Sequence, residues 1–304
     1  MRVRGGGQRR AKRPVTRHIG ILGHPGRPAV ARAAARLADL LIRRGCEVRL
    51  DDPLAQAVGR PGHPIAAVAK WCDILVSLGG DGTALRGACA LARRQGTLLP
   101  INLGGMGFLT VADVGEMKHA VDAALGGKWP VAQRRLVEAT VTRRGRRLPR
   151  TRAMNDLVLK AAGGRAAVHL ELNALGGDLG HLVADGLIAA SAAGSTAYSL
   201  SAGGPVVSHD LEALVVTPVC AHALASRSLV LSGAETLTLR VLGSFDRMML
   251  FHDGQDGPEI LAGDIVKVAL ARDVVRLFRN PDRPLGLALR SKLGWQATAR
   301  SSFG

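Results

Sequence analysis

The sequence predicts an N-terminal doubly wound α/β domain followed by a β-sandwich-like C-terminal domain. A chain of 304 residues exceeds the usual size of one domain, and a composition that is 47% hydrophobic can fill two cores. Strand-like and helix-like runs alternate up to residue 127, and short strand-like runs between Gly, Asp and Arg-rich turns follow. The alternation predicts a parallel sheet covered by helices, whereas the later pattern is typical of packed antiparallel sheets.

Residues 1–16 precede the first regular pattern. They are rich in Arg and Gly and contain hardly any apolar residue. Because such a segment cannot bury enough surface to offset the entropy lost on ordering, we expect a mobile basic arm.

The α/β domain is predicted for residues 17–127. Its predicted elements are a strand His18–Gly23, an amphipathic helix Pro28–Arg44, a strand Cys46–Leu50, a loop Pro53–Pro64, a short helix Ile65–Trp71, a strand Ile74–Leu78, a helix Ala84–Arg94, a strand Thr97–Leu103 and a helix Val114–Leu125. Glycine-rich turns follow two of the strands, at residues 79–83 and 104–108. Doubly wound sheets bind ligands beyond the carboxyl ends of their strands, where we expect both turns to lie.

The β-rich domain is predicted for residues 128–283. Its strand-like runs are Leu136–Thr142, Ala153–Lys160, Val168–Leu172, Leu182–Ala184, Leu214–Pro218, Ser228–Leu231, Thr236–Val241, Met248–His252, Asp264–Ala269 and Val274–Phe278. We expect them to form a β-sandwich-like unit. The tail 284–304 is expected to pack back on the α/β domain.

The turn Gly79-Gly80-Asp81-Gly82-Thr83 is the first candidate site. Its three glycines let backbone amides approach a phosphate without a Cβ in the way, and the helix that follows favours an anion at its N-terminus. A carboxylate among phosphates repels them unless it binds a metal or takes a proton from a nucleophile. Asp81 is therefore the first candidate for chemistry.

The formal net charge of +17 and the pI near 11.2 suggest an anionic partner, such as a nucleotide, a nucleic acid or a membrane surface. Much of this charge lies in the arm and in the run Arg143–Arg147, which is typical of a solvated hairpin tip. Aromatic residues make up only 3% of the chain, which disfavours single-stranded nucleic acid. No membrane partner is expected, because the uncharged stretch 186–207 is rich in Gly, Ser and Thr.

The four cysteines, Cys46, Cys72, Cys89 and Cys220, are widely spaced. Without a Cys-x-x-Cys pair or a neighbouring His cluster, they indicate neither a zinc site nor a disulfide framework. We interpret them as reduced core thiols of a cytoplasmic protein, and we expect no fixed protein ligands for a metal.

Three stretches of the β-rich half concentrate small and polar residues. They are the pair Asn155-Asp156, the block Asp185–Pro205 and the run His252–Gln255. In the block, small residues let a planar ring lie close to the backbone, and hydroxyls can satisfy base, ribose and pyrophosphate groups. Taken alone, the pair is more often a turn or an edge pair, and the run is simply a β-turn.

The string Gly79–Thr83 after an apolar strand resembles the signature of a superfamily that includes NAD kinases, diacylglycerol-type lipid kinases and, more distantly, phosphofructokinases. The chain is similar to the NAD kinases in the order of its motifs, over roughly its whole length after the arm. These motifs are the glycine turn, the segment Asn102–Thr110 and the three polar stretches. The block Asp185–Pro205 distinguishes the NAD kinases from the other members of the superfamily. A lipid kinase should offer an apolar cleft there, and a phosphofructokinase should continue with α/β alternation.

The resemblance implies phosphoryl transfer from ATP, or in some members inorganic polyphosphate, to the 2′-hydroxyl on the adenosine side of NAD, giving NADP. Asp81 would be the general base, with Mg²⁺ or another divalent cation on the ATP. Phosphates would be held by Gly79, Gly80, Gly82 and Thr83. The acceptor would be held by Asp81, Gly82, Asn155, Asp156, Asp185, Thr196, Ala197, Tyr198 and Ser201. Weaker candidates are Phe108, His252, Asp253 and Gln255.

The resemblance also implies an assembly of two or four identical subunits. The sequence departs from the family pattern at Ser191-Ala192-Ala193, where the loss of a hydroxyl at Ala193 removes a group expected to face the adenine. Two alternatives stay open. One is a lipid or other small-alcohol kinase of the same superfamily, and the other is a non-catalytic binder of dinucleotides or nucleic acid.

Overall fold

The computed structural model describes residues 17–24, 26–105, 107–163 and 166–294. The predicted basic arm and the last part of the predicted tail lie outside the described residues.

The first part of the chain alternates strands and helices. These are β1 (His18–Gly23), α1 (Pro28–Arg43), β2 (Glu47–Asp51), α2 (Asp52–Val58), β3 (Gly62–His63), α3 (Ile65–Trp71), β4 (Ile74–Leu78), α4 (Asp81–Leu91), β5 (Thr97–Asn102), β6 (Ala112–Asp113) and α5 (Met117–Leu125). The residues of β4 are all buried, as expected for an inner parallel strand. Helix α1 buries Val30, Leu37 and Leu41 at helical spacing.

The predicted loop Pro53–Pro64 is wrong in part, because it contains most of α2 and all of β3. Pro53 lies in the first turn of α2, where its missing N–H has no intrahelical partner to lose. Gly59 ends the helix in the left-handed conformation, with φ of 66°.

Parallel pairing arranges the inner strands in the order β5-β4-β1-β2-β3. The chain moves outward from β1 on one side and from β4 on the other, so the strand order reverses between β1 and β4. Their last residues, Gly23 and Leu78, are in register. The glycine turn at 79–83 therefore begins at the switch point, which is where doubly wound sheets bind ligands.

The second part of the chain is mostly strand. Its elements are β7 (Val131–Arg143), β8 (Arg146–Arg147), β9 (Thr151–Ala153), β10 (Asp156–Ala161), β11 (Val168–Ala174), β12 (Gly177–Ala184), β13 (Gly186–Ser191), α6 (Tyr198–Ser201), β14 (Ala213–Val219), β15 (Leu229–Ser232), β16 (Thr236–Ser244), β17 (Met248–His252), β18 (Glu259–Ile260), β19 (Ile265–Phe278) and α7 (Leu285–Lys292).

Strand β19 joins the two parts into one 13-stranded sheet. It pairs antiparallel with β7 and β16 and, through Arg276 and Leu277, parallel with β5. The separate strands predicted at 264–269 and 274–278 are wrong, since β19 covers both. A register shift between Leu270 and Val274 lets one strand continue where its apolar pattern breaks.

A second sheet of six strands, in the order β15-β14-β13-β10-β17-β18, packs against the β-rich half of the first. Leu157, Leu187 and Leu214 of this sheet share one core with Leu170 and Val266 of the large sheet. The predicted fold class, a doubly wound α/β domain followed by a β-sandwich-like domain, is confirmed.

The residues just before the predicted tail contact the α/β domain. Arg283 Nη2 donates to Asp113 Oδ2 and to Glu116 Oε2, both at 2.6 Å. Asn280 Nδ2 donates to the carbonyl of Val111 at 2.9 Å. Because these residues belong to the predicted β-rich domain, the return of the tail 284–304 and the domain limits at 127 and 283 stay predictions.

The cysteines are free thiols, but Cys89 and Cys220 are exposed, so the interpretation of all four as core thiols is wrong. Cys72 is buried and Cys46 is partly buried. Among the described helices, none is both long enough and apolar enough to span a membrane.

Candidate active site

Helix α4 begins at the first glycine turn, with Asp81 as its first residue. A Cβ on Gly79 would lie 2.3 Å from Thr83 Oγ1, so this position requires glycine. A Cβ on Gly80 or Gly82 would have no neighbour within 4 Å, which leaves the backbone there open to a ligand. The free amides and the dipole of α4 favour an anionic ligand at this turn.

The second glycine turn holds the carboxylate of Asp81. The backbone N–H of Phe108 donates to Oδ2 at 2.9 Å, and that of Leu109 donates to Oδ1 at 3.0 Å. A Cβ on Gly107 would lie 2.1 Å from Oδ1, so the turn comes this close because residue 107 has no side chain. The Asp81 side chain is 28% exposed. Its oxygens are thus fixed in orientation yet open to a hydroxyl, which they can orient or deprotonate.

Asn102, the buried last residue of β5, shapes the second turn. Its Nδ2 donates to the carbonyls of Gly104 and Gly105 at 2.8 and 2.7 Å, and its Oδ1 accepts the N–H of Gly104 at 3.1 Å. These bonds close the turn locally. They set the course of the backbone that continues to the amides bound to Asp81.

Asp253 organises the start of β10. Its Oδ2 accepts the N–H of Met154 at 2.7 Å, and its Oδ1 accepts those of Asn155 and Asp156 at 2.8 and 3.3 Å. The backbone of Asp253 is left-handed, with φ of 46°, inside a turn closed by paired backbone bonds between residues 252 and 255. Asp253, expected as a weaker ligand candidate, therefore positions the pair at 155–156.

Asp156 is 5% exposed. Burial, together with the nearby Asp253 carboxylate, raises the pKa of its carboxyl to about 7, although a hydrogen bond from the Tyr198 backbone offsets part of the increase. At neutral pH this carboxyl is therefore divided between its protonated and ionised forms. It can donate a hydrogen bond to a ligand in the first form and accept one in the second.

Asp156→Asn is expected to stabilise the protein at pH 8 and to leave its stability nearly unchanged at pH 4. The folded state holds the Asp156 proton up to about pH 7, whereas the unfolded chain releases it near its usual pKa of 3.8. The free energy of unfolding therefore falls as pH rises between these values, by on the order of 4 kcal/mol at most.

Urea denaturation from pH 4 to pH 8 measures this effect. The pH dependence should flatten in Asp156→Asn, while Asp178→Asn, in an exposed hairpin, should follow the wild type. Parallel curves for Asp156→Asn and the wild type would contradict the account.

The hydroxyls of the predicted acceptor block mostly serve the fold. Ser195 Oγ donates to the carbonyl of Ala192 at 2.7 Å, Thr196 Oγ1 donates to that of Ala193 at 3.1 Å, and the hydroxyls of Ser199 and Thr217 are 2.8 Å apart. These side chains are buried and satisfied within the protein. The block therefore shapes the site through its small residues more than through its hydroxyls.

A cavity of about 360 Å³ lies between α4, β10 and α6. Its lining comprises Leu85, Asn155, Asp156, Val158, Lys160, Ala197, Tyr198, Phe251, Asp253 and Gly254. The Oδ1 atom of Asn155 is buried and has no hydrogen-bond partner among the described residues. An unsatisfied buried acceptor indicates a donor supplied by a ligand or water. Leu85, one turn after Asp81 on α4, connects the cavity with the glycine turn.

The structure brings four predicted acceptor residues into this cavity: Asn155, Asp156, Ala197 and Tyr198. Asp185 is exposed and lies outside it. Strand β13 pairs with β10 so that Ala190 lies opposite Asp156 and Gly186 lies opposite Lys160. Asp185 directly precedes Gly186, so it lies at the end of the strand pair that is away from Asp156. Thr196, Ser201, His252 and Gln255 are outside the cavity lining, and their ligand roles stay predictions.

A second cavity of about 160 Å³ borders the turn that holds Asp81, and no motif of the sequence indicates it. Its lining includes Arg134, His209, Arg279, Arg283 and part of α7. Burial, with the neighbouring Arg134, lowers the pKa of His209 to about 4, so its imidazole is neutral at pH 7. Ala193 also lines this cavity and not the one at Asn155, so a hydroxyl there would face the second cavity.

Two family models match the chain. The model described as the ATP-NAD kinase N-terminal domain matches residues 19–128, and that of the ATP-NAD kinase C-terminal domain matches residues 154–279. The chain belongs to the NAD kinase family. Its members are phosphotransferases, so the chain is an enzyme that acts on NAD, and the resemblance inferred from the sequence is confirmed. The lipid-kinase and non-catalytic alternatives receive no support.

Curated relatives agree with this assignment along their whole length. The NAD kinase of Syntrophotalea carbinolica is 35% identical over 281 residues, which cover 92% of this chain and 99% of that protein. The NAD kinase of Solibacter usitatus is 35% identical over 283 residues, which cover 93% and 99% of the two chains.

Two solved structures share the fold. Yeast NADH kinase complexed with NADH superposes with a TM-score of 0.86 at 24% identity, covering 94% of this chain and 90% of its own. An NAD kinase from Archaeoglobus fulgidus in complex with ATP gives a TM-score of 0.73 at 23% identity, covering 90% and 98%. At these identities the likeness supports the fold alone.

Proposed function

We propose that this enzyme transfers the γ-phosphoryl group of ATP to the 2′-hydroxyl of the adenosine ribose of NAD, giving NADP, with Asp81 as the general base. The position of the Asp81 carboxylate supports this role. Its carboxylate stands at the first residue of α4 and is fixed by the amides of Phe108 and Leu109, beside open glycines that suit phosphates. A ribose hydroxyl is a weak nucleophile, so a positioned carboxylate is the group that the reaction needs.

The acceptor is proposed to occupy the cavity at Asn155. The unsatisfied Asn155 Oδ1 would accept a hydrogen bond from a sugar hydroxyl, and the Asp156 carboxyl lies in the same lining. Ala197 leaves room for a planar ring beside it, and Tyr198 supplies a partly exposed aromatic face.

Asp185 is proposed to bind the exocyclic amine of the adenine, as the family resemblance implies. It directly precedes Gly186 at the far end of the β10–β13 pair, five residues or about 17 Å along the strand from Ala190, which pairs with Asp156. A dinucleotide is long enough to cover such a distance. Thr196, Ser201, His252 and Gln255 are proposed as further neighbours of the acceptor on the same resemblance.

The donor is proposed to bind its phosphates at the amides of Gly79, Gly80, Gly82 and Thr83. The described residues contain no group of three or more His, Cys, Asp or Glu side chains suited to a metal. The Mg²⁺ ion is proposed to enter on ATP, because Mg²⁺ is often held by substrate phosphates with one or two carboxylates, and Asp81 is the carboxylate at this turn. When bound, Mg²⁺ would neutralise charge on the phosphates.

We further propose that the enzyme works in the cytoplasm as a homodimer or homotetramer. The β-rich domain exposes large apolar side chains at Leu211, Leu224 and Val230, which supports an assembly through that domain.

A screen of donors and acceptors with the purified protein tests the function. ATP or polyphosphate is paired with NAD, NADH or diacylglycerol, in Mg²⁺ and in EDTA. We expect NADP from ATP and NAD, with loss of activity in EDTA. Phosphorylation of the lipid, with no NADP formed from any donor, would refute the proposal.

A further inference from the structure

Lys292, the last residue of α7, brings an ammonium group to Asp81. Its Nζ lies 3.9 Å from Asp81 Oδ2 and 4.7 Å from the centre of the Phe108 ring. The backbone N–H of Phe108 donates to the same Oδ2. One aromatic residue thus contacts both the carboxylate and the cation, which fixes the ammonium at the site through a cation–π interaction.

The ion pair of Lys292 and Asp81 contributes little to the free energy of folding. The two side chains are 35% and 28% exposed, and ion pairs that contact solvent contribute little to folding. The position of Lys292 therefore needs a reason in the reaction.

We propose that Lys292 is a further catalytic residue, whose ammonium contacts the non-bridging oxygens of the phosphoryl group in transfer. This inference rests on the proposed function. In the step, the ribose oxygen forms a bond to the γ-phosphorus while the bond from that phosphorus to the β,γ-bridging oxygen breaks. ADP leaves with the electron pair, the hydroxyl proton passes to Asp81, and Lys292 stays protonated.

The distances fit this role. A hydroxyl bound to Asp81 places its oxygen about 2.7 Å from the carboxylate, and a phosphorus poised for attack lies about 3 to 3.5 Å further on. An ammonium 3.9 Å from Oδ2 can then reach a phosphoryl oxygen at the usual charge-assisted distance of about 2.8 Å.

The other cation on α4 is engaged elsewhere. The turn at residues 79–83 has no Lys or Arg, and Arg86, one turn further along α4, pairs with the buried Asp51 at 2.5 Å and with the Gly23 carbonyl at 3.1 Å. Among the described residues, Lys292 is the one basic side chain that forms an ion pair with Asp81.

Lys292→Ala and Lys292→Arg test the inference, with Arg290→Ala as the matched control on an exposed position of the same helix. We measure kcat with ATP, Mg²⁺ and NAD, the affinity for NAD, and the melting temperature. Lys292→Ala should lose about 100-fold in kcat, as expected when a group that stabilises transition-state charge is removed. Its NAD affinity and melting temperature should not change, Lys292→Arg should keep most activity, and added ethylammonium should restore part of it to Lys292→Ala.

Three results would overturn the inference: wild-type kcat in Lys292→Ala, no difference between the Ala and Arg variants, or a kcat loss accompanied by an equal loss of NAD affinity. The last result would mark Lys292 as a support for the fold of the site. If the wild type makes no NADP from any donor, the proposed function itself fails and this inference fails with it. An active wild type beside an active Lys292→Ala refutes the inference alone.

Discussion

Asp81→Asn should lower kcat about 1,000-fold, in the range expected for the loss of a general base, while the affinity for NAD stays nearly unchanged. An amide is isosteric with the carboxylate but takes no proton from the ribose hydroxyl. Asn also turns one acceptor into a donor. That donor would face the N–H of either Phe108 or Leu109, both of which now donate to the carboxylate. A small loss of stability should accompany the loss of activity.

Stopped-flow or steady-state formation of NADP gives kcat, and calorimetric titration with NAD gives the affinity. Asp178→Asn, in an exposed hairpin of the β-rich domain, is the charge-matched control and should behave like the wild type. Equal kcat in Asp81→Asn and the wild type would remove Asp81 from the mechanism. Loss of NAD binding together with kcat would make Asp81 a binding residue only.

Gly194→Ala should strongly destabilise the protein. A Cβ at this position would lie 2.0 Å from the Asn155 carbonyl oxygen and 2.7 Å from the Asn155 Cα, well inside van der Waals contact. These are backbone atoms, and the same carbonyl accepts the N–H of Ser191 at 2.8 Å, so neither side can yield without breaking the start of β10. Overpacking of this kind costs about 3 kcal/mol.

Gly177→Ala is the matched control, because a Cβ there would have no neighbour within 4 Å. Urea denaturation should show a large loss for Gly194→Ala and a change near zero for Gly177→Ala. Because Asn155 lies in the proposed acceptor cavity, KM for NAD should rise in the first variant. Equal stability of the two variants would contradict the packing described at Asn155.

The strand, turn and helix around residues 79–83 could be predicted from the sequence because their residues are contiguous. A mostly apolar β4, three glycines and a helix that begins at Asp81 point to the same structure at each level of description. The position of this turn beyond the carboxyl end of a strand then follows from β-α alternation. The two amides that hold Asp81 come from a separate turn, and only the fold shows that they face the carboxylate.

Most of what could not be predicted depends on contacts between side chains that are far apart in sequence. Lys292 and His209 lie outside any recognisable motif, and their approach to Asp81 depends on the path of the tail and of the loop before β14. Thr196 illustrates a different limit of sequence reasoning. Its hydroxyl was expected to meet a ligand, and that role stays a prediction. In the fold this buried hydroxyl is satisfied by the carbonyl of Ala193, which the sequence does not indicate.

Two predicted element boundaries were wrong because polar residues there suggested a break in the element. Arg272 and Asp273 interrupt the apolar pattern of β19, which suggested a break, but β7 pairs with both halves of the strand across a register shift. Asp52-Pro53 suggested a loop, although proline in the first turn is compatible with a helix start. In both places the neighbouring elements decided the structure.

The position of the transferred phosphate tests the account most directly. The enzyme is incubated with NAD, Mg²⁺ and ATP that carries a labelled γ-phosphate, and the product is examined by phosphorus NMR and by an NADP-specific dehydrogenase. The account predicts that the label appears as a phosphomonoester on the 2′-oxygen of the adenosine ribose, and that Asp81→Asn forms almost none. Label on another hydroxyl, or equal labelling by Asp81→Asn, would contradict it.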